Sequence, residues 1–497
     1  MDNLSIALNE FGKTDFYPFH MPGHKRIAVN DLLQEPYKED ITEIDGFDNL
    51  HHPESILKKE QENAAGLFGA EESFFLVNGS SCGVLASICA VTLCGQKRIL
   101  MARNVHKSAY NALYLADAEA DYIYPQRLCR VSFLGKICVE DVIKALSSPK
   151  VYDAVFLTSP TYEGVVSDIG AICEAAHQKG IPVIVDEAHG AHLGLWGNDG
   201  FFPPGALSQG ADIVIQSLHK TLPAMTQTAI LHVQGNLVDR GTLRKQLAMF
   251  QSSSPSYILM SSISSCLHFC QEEGSIRVTA YRKKLQEFYR RLEHLQSLEL
   301  LTAEKLAGNS ADKKKLLLDP GKILIGVGRS GFTGKELYDV LREKYHLQME
   351  MAADSYVIAM TSIMDTREGF DRLEAALKEL DAVRKVAAAK EERSLQIEKI
   401  KHDFVGMNRM LPAKAVYSIR QALRKQKTAV EFRESAGYIS TEFVYLYPPG
   451  IPCIVPGEVI DKQTLACLIK AGESGLSVQG PEDYGPGRIW CVSNEEI

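Results

Sequence analysis

The sequence predicts an α/β protein whose main domain is a mostly parallel sheet covered on both faces, followed by a smaller α/β domain and a C-terminal α+β domain. Three observations predict it. Between residues 73 and 233 the chain carries short, near-continuous apolar runs, the pattern of strands buried on both faces. Stretches with helical periodicity, such as Ile169 to Lys179, separate them, and alternation of this kind builds parallel sheets. The runs also lead into polar clusters.

The runs, in order, are Phe74–Val77, Arg98–Met101, Ala154–Leu157, Val183–Val185 and Asp212–Ile215. In sheets of this type ligands sit beyond the carboxyl ends of the strands. That places Asn78-Gly79-Ser80-Ser81, Ser159-Pro160-Thr161-Tyr162, Asp186 to His189 and Ser217 to Lys220 on one rim, which His106 also reaches. A helical stretch from about Ser256 to Leu298 leads out of this domain. The smaller unit carries strand-like segments at 315–318, 323–326 and 356–359, and a charged, helix-favouring stretch from Arg367 to about Lys401 ends it. The expected organisation is an N-terminal segment (1–50), a large cofactor-binding domain (51–290), a small α/β domain (291–400) and a C-terminal domain (401–497).

With 497 residues, 45% hydrophobic and 23% charged, the chain has ample core and needs no metal or disulfide to fold. The net charge of −8, without a dominant basic block, argues against nucleic acid as a partner. Eleven cysteines without framework spacing read as reduced thiols of a cytoplasmic protein. Cys266-x-x-x-Cys270, with His268 between, lacks a second ligand pair, and no metal site is expected. The N-terminus lacks a signal-peptide pattern, and the most apolar run, Cys82 to Cys94, is too short to span a bilayer.

The chemistry gathers around Ser217-Leu218-His219-Lys220. Lys220 can form a Schiff base, while Ser217 and His219 can donate to phosphate oxygens. Asp186 follows a strand directly, where a carboxylate can keep a pyridine nitrogen protonated. His189 stands three residues on, within reach of a ring oxygen or imine. Ser80 and Ser81 open a helix whose backbone N–H groups make a phosphate cradle, and His106 can stack on a cofactor ring. Together these are the parts of a pyridoxal phosphate (PLP) site. Each has a plain structural alternative: a surface lysine, a capping Asp beside a packed His, ordinary helix-capping Ser and Gly, and a loop His.

Several segments in chain order resemble the Orn/Lys/Arg decarboxylases, PLP-dependent enzymes of aspartate-aminotransferase fold (fold type I). They are His20-Met21-Pro22-Gly23-His24-Lys25, Phe74 to Ser80, Arg103-Asn104-x-His106-Lys107, Ser159 to Gly164, Asp186 to His192, Ser217 to Ala229, Tyr447 to Pro452 and Val455 to Glu458. The resemblance implies Lys220 as the Schiff-base lysine, Asp186 as the pyridine-nitrogen partner, His106 stacked on the ring, and His189 beside the cofactor. It implies Ser80, Ser81, Ser217 and His219 as phosphate ligands. It also implies a partner-subunit hydroxyl from Ser252 or Ser253, hence at least a homodimer with shared active sites.

Two departures stand out. There is no room before His20 for the N-terminal wing of the family's large enzymes, so the chain resembles the shorter branch. Leu411-Pro412-Ala413-Lys414-Ala415 replaces the usual Ser-Pro-Arg-Glu-Ala, which puts that loop's contacts in question. The implied activity is decarboxylation of a basic L-amino acid, arginine or lysine ahead of ornithine, with Lys220 or His189 returning a proton to Cα. Glu458, Glu350 and Asp354 are candidate partners for the distal cation. The alternatives are another fold-type-I enzyme, an aminotransferase or aldolase-like lyase, or a non-catalytic binding protein.

Overall fold

The computed structural model describes residues 15–19, 23, 25, 41–43, 47–126, 128, 133–197, 200–307, 316–387, 412–447, 450–473, 475–482 and 487–493. Most of the segment 20–25, together with Pro448, Pro449 and Leu411, lies outside them.

A seven-stranded sheet organises the large domain. Its strands are β1 (Glu72–Leu76), β2 (Arg98–Ala102), β3 (Glu119–Ile123), β4 (Ala154–Thr158), β5 (Val183–Asp186), β6 (Ile213–Gln216) and β7 (Ala229–Val233). They lie in the order β1-β7-β6-β5-β4-β2-β3. Only β7 runs against its neighbours; the pairs β2/β3, β2/β4, β4/β5 and β5/β6 are parallel. The apolar runs became strands because both faces are covered: β5, β6 and β7 are buried throughout. Each fully buried Val or Ile there contributes about 1.5–3 kcal/mol. β3 is the edge strand, half-exposed and polar, so it carries no apolar run.

Helix α1 (Gly79–Thr92) follows β1, and α2 (Lys107–Ala116) follows β2. Beyond β7 come helices Arg240–Phe250, Tyr257–Glu272 and Gly274–Arg291, the last two forming the expected helical exit. Cys266 and Cys270 are buried in the core there, while His268 faces Glu60 at 3.1 Å.

The small sheet has the order β8 (Glu299–Leu300), β9 (Lys322–Gly326), β11 (Tyr356–Met360), β10 (Met351–Ala352), all antiparallel. Leu317–Leu318, expected in this unit, pairs instead with Val165–Val166 of the large domain. A backbone bond from Asp319 N–H to Gly164 O at 2.8 Å continues that pairing. The small unit is thereby tied to the rim of the large sheet. Tyr17–Phe19 runs parallel to Leu347–Met349, so the N-terminal segment extends the small domain.

The C-terminal unit comprises a two-stranded sheet (Lys427–Glu431 with Arg488–Val492), a three-stranded sheet and helix Lys462–Glu473 around a core of its own. Among the described residues no helix is long and apolar enough to cross a membrane.

Candidate active site

The carboxyl ends of β2, β4, β5 and β6 open on one cavity of about 420 Å³. The small domain walls it with residues 350–354 and Tyr356, and the C-terminal unit closes it with Leu446, Tyr447, Ile451 and Cys453. Ser80, Ser81, His106, Asp186, His189, Ser217, His219 and Lys220 all line it. Ser252 and Ser253 do not. They are exposed, beyond helix Arg240–Phe250, and the Ser252 carbonyl accepts a 2.7 Å bond from the His51 ring.

Lys220 sits in a one-turn helix, Leu218–Thr221, directly after β6. Its Nζ lies 3.0 Å from Nε2 of His189. Burial pushes the ammonium below its ordinary range, while Asp186 and Glu350 hold it up. The last residue of β5 is Asp186, 4% exposed. Burial pushes its carboxyl up, against the pull of Lys220 and one N–H, from Ala188 at 3.2 Å. Two lone-pair-rich oxygens are thus served by a single backbone donor and a lysine.

His106 is the N-cap of α2, where its Nδ1 accepts from Ser108 N–H at 3.2 Å. Burial, then the Lys220 and Lys107 charges, lower its pKa to about 4, so the ring is neutral at physiological pH.

The α1 N-terminus carries no side-chain cap; Gly79 N–H donates to the Gln227 carbonyl at 2.8 Å, and Ser80 and Ser81 of the same first turn line the cavity. Gly79 holds φ +73° to make this turn, a left-handed backbone that glycine tolerates. Ser217 Oγ is buried without a hydrogen-bond partner. His219 Nδ1 is bonded to the Thr228 carbonyl at 2.8 Å; its Nε2 can therefore donate only when the ring is charged. An uncapped helix N-terminus, an orphan buried hydroxyl and a buried, under-satisfied carboxylate fit a group with a phosphate at one end and a basic ring nitrogen at the other.

One expected residue is corrected. Glu458 is no partner for a substrate cation: its carboxylate takes a 3.0 Å bond from the Arg103 guanidinium and a 3.1 Å bond from Val455 N–H, and it does not line the cavity. Arg103 also donates to the Pro452 carbonyl at 2.6 Å and to Tyr110 OH at 2.8 Å. The pair fastens the C-terminal unit over the site. Glu350 and Asp354 do line the cavity. Glu350 accepts from Tyr162 OH, and burial pushes Asp354 up to about 6, with Lys470 opposing.

Several lining residues had no assigned role in the sequence. The Tyr162 ring packs on His189 with centroids 4.7 Å apart. Asn104 Oδ1 and Thr158 Oγ1 are buried without partners. Asn104 two places before His106, and Thr158 ending a strand run, were the signals available for them.

This arrangement, a seven-stranded, mostly parallel sheet with a lysine, an aspartate and a helix N-terminus converging at its rim, is the aspartate-aminotransferase-like architecture, fold type I. The solved structure of the Francisella novicida lysine decarboxylase LdcF shares the fold, with a TM-score of 0.74 over 98% of this chain and 80% of that one, at 19% identity. The family model described as Orn/Lys/Arg decarboxylase, major domain, matches residues 3–369, and the C-terminal domain model of the same family matches 394–474. This chain belongs to the Orn/Lys/Arg decarboxylase family. Proteins named arginine decarboxylase from Bacillus anthracis and Bacillus subtilis are each 31% identical to it, over 97% of this chain and 95% of theirs.

Proposed function

We propose that this protein is a PLP-dependent carboxy-lyase that converts arginine to agmatine and CO2, with lysine a weaker substrate and ornithine weaker still. The observation that carries the reading is the buried Lys220–His189 pair, 3.0 Å apart, in a cavity that also holds the under-satisfied Asp186 and the orphan Ser217 hydroxyl. Asp186 would hold the ring nitrogen, His106 the ring face, and Ser80, Ser81, Ser217 and charged His219 the phosphate; Ser252 or Ser253 of a second copy would complete that end in a homodimer. When bound, the cofactor supplies an electron sink for the pair left behind when the Cα–carboxylate bond breaks.

The chain's own contribution is position, dryness and protons. A neutral His106 would stack on the ring without adding charge. The C-terminal wall of Leu446 and Ile451 excludes water from the carboxylate, which favours its loss as neutral CO2. Lys220 Nζ and His189 Nε2 are the two nitrogens that can carry a proton to Cα. Asp354, with Glu350 bonded to Tyr162 OH, offers the negative charge a guanidinium or ammonium needs. The arginine assignment draws support from the Bacillus relatives' names.

The test is amine and CO2 release from an arginine, lysine and ornithine panel with added cofactor. The expected result is stoichiometric agmatine and CO2 from arginine without any keto acid. A keto-acid requirement, or reaction only with a neutral or aromatic amino acid, would overturn it.

A further inference from the structure

Behind the Lys220–His189 pair stands a second buried lysine. Lys322 opens β9, is 1% exposed, and places its Nζ 3.2 Å from Nδ1 of His189. Nδ1 is the ring nitrogen that Lys220 does not use. Gly164 makes room for it: its φ is +96°, and a Cβ there would meet Lys322 Cγ at 2.9 Å. The result is an amine–imidazole–amine chain spanning both domains.

A neutral imidazole has one N–H and one lone pair. The two amines therefore cannot stand in the same relation to it: one donates and the other accepts. His189 is held neutral, first by burial, then by Lys220, Lys322, His219 and His106. Lys322 is faced by Asp319 of its own turn and by Glu350 and Glu163, with Lys220 and Lys25 opposing. Burial lowers it to about 8, which leaves it mostly charged at neutral pH. A charged ammonium can only donate. The ring proton then sits on Nε2, directed at Lys220, whose own neighbours are Asp186, Glu350 and His106.

We propose that Lys322 is a positioning residue: by donating to Nδ1 it favours His189 as the Nε2–H tautomer, which donates to Lys220 Nζ, shifts that lysine toward its free amine and aims it into the cavity. A neutral amine is the form that attacks a carbonyl carbon. The inference rests on the reading of Lys220 as the lysine that captures the cofactor aldehyde, but its test uses neither cofactor nor substrate.

The test has two arms on the full-length, cofactor-free chain. Competitive acetylation across roughly pH 6 to 11, read on the Lys220 peptide by mass spectrometry, gives the pH at which this amine becomes reactive. Lys322→Met should raise that midpoint by about one unit, a tenfold loss of free amine at a given pH, and Lys322→Arg, which keeps the charged donor, should restore it. An unchanged midpoint in Lys322→Met overturns the proposal. Side-chain 15N spectra of the wild-type histidines need no variant to fold: His189 should be Nε2–H at neutral pH, and an Nδ1–H ring overturns the proposal. Failure to decarboxylate any basic amino acid would remove the functional reading and leave both of these results standing.

Discussion

Asp186 and Glu458 are both buried carboxylates, 4% and 3% exposed, and the chain treats them in opposite ways. Glu458 is paid in full: a guanidinium at 3.0 Å and a backbone N–H at 3.1 Å. Asp186 has one N–H at 3.2 Å and a lysine whose own charge burial suppresses. Satisfied charge in a core holds parts together; unsatisfied charge beside a cavity stores an interaction for a ligand. The first joins two domains and the second waits for a ring nitrogen.

The largest effect separating them is on stability. Glu458→Gln leaves the buried Arg103 charge without its counter-ion and should cost about 3–5 kcal/mol of unfolding free energy, with loosening of the C-terminal unit visible by limited proteolysis. A cost under about 1 kcal/mol would break the contrast.

Asp186→Asn should do the reverse. Activity should fall at least roughly a hundredfold, or about 2.7 kcal/mol of barrier, because a neutral amide no longer keeps the ring nitrogen protonated. The cofactor-free protein should meanwhile become more stable at neutral pH, because the buried charge is gone. The sign follows from linkage: a folded pKa raised above the unfolded 3.8 means that the native state binds more protons, so stability is lost as pH rises from about 3.8 through the folded value. The gain from Asp186→Asn should therefore vanish as pH falls toward about 3.8. Denaturant melts of both proteins across that range check it.

A third carboxylate, Asp354, is only partly buried. Burial pushes its carboxyl up to about 6, so its charge fades below that pH. If it meets the substrate's distal cation, KM for arginine should rise as pH drops through about 6. Asp354→Asn should raise KM roughly tenfold, about 1.4 kcal/mol, with kcat less affected and the pH dependence gone.

The smallest effect expected is at His106. Already neutral above about 4, it should contribute no titration to the activity profile at higher pH. His106→Phe keeps a stacking face and should cost only a few-fold in kcat, on the order of 1 kcal/mol.

The rim could be read from sequence because its residues directly follow buried strands: Asp186 ends β5, and Ser217 to Lys220 follow β6. Backbone geometry alone then brings them together. What could not be read depends on contacts between distant parts of the chain. Glu458 sits in a Pro-Gly turn that says nothing of Arg103, 355 residues earlier. Tyr162 meets Glu350 across 188 residues. Lys322 stands just before an apolar run, and only the folded chain sets it against His189. The polar edge strand β3 escaped because half-exposed strands need no apolar run.

The most direct test of the central claim is borohydride reduction of the holoprotein followed by peptide mapping. PLP should be fixed irreversibly to Lys220 in the wild type and not in Lys220→Ala, which should also lose at least roughly a thousandfold in activity. Fixation at another lysine, or equal fixation in Lys220→Ala, would contradict that claim.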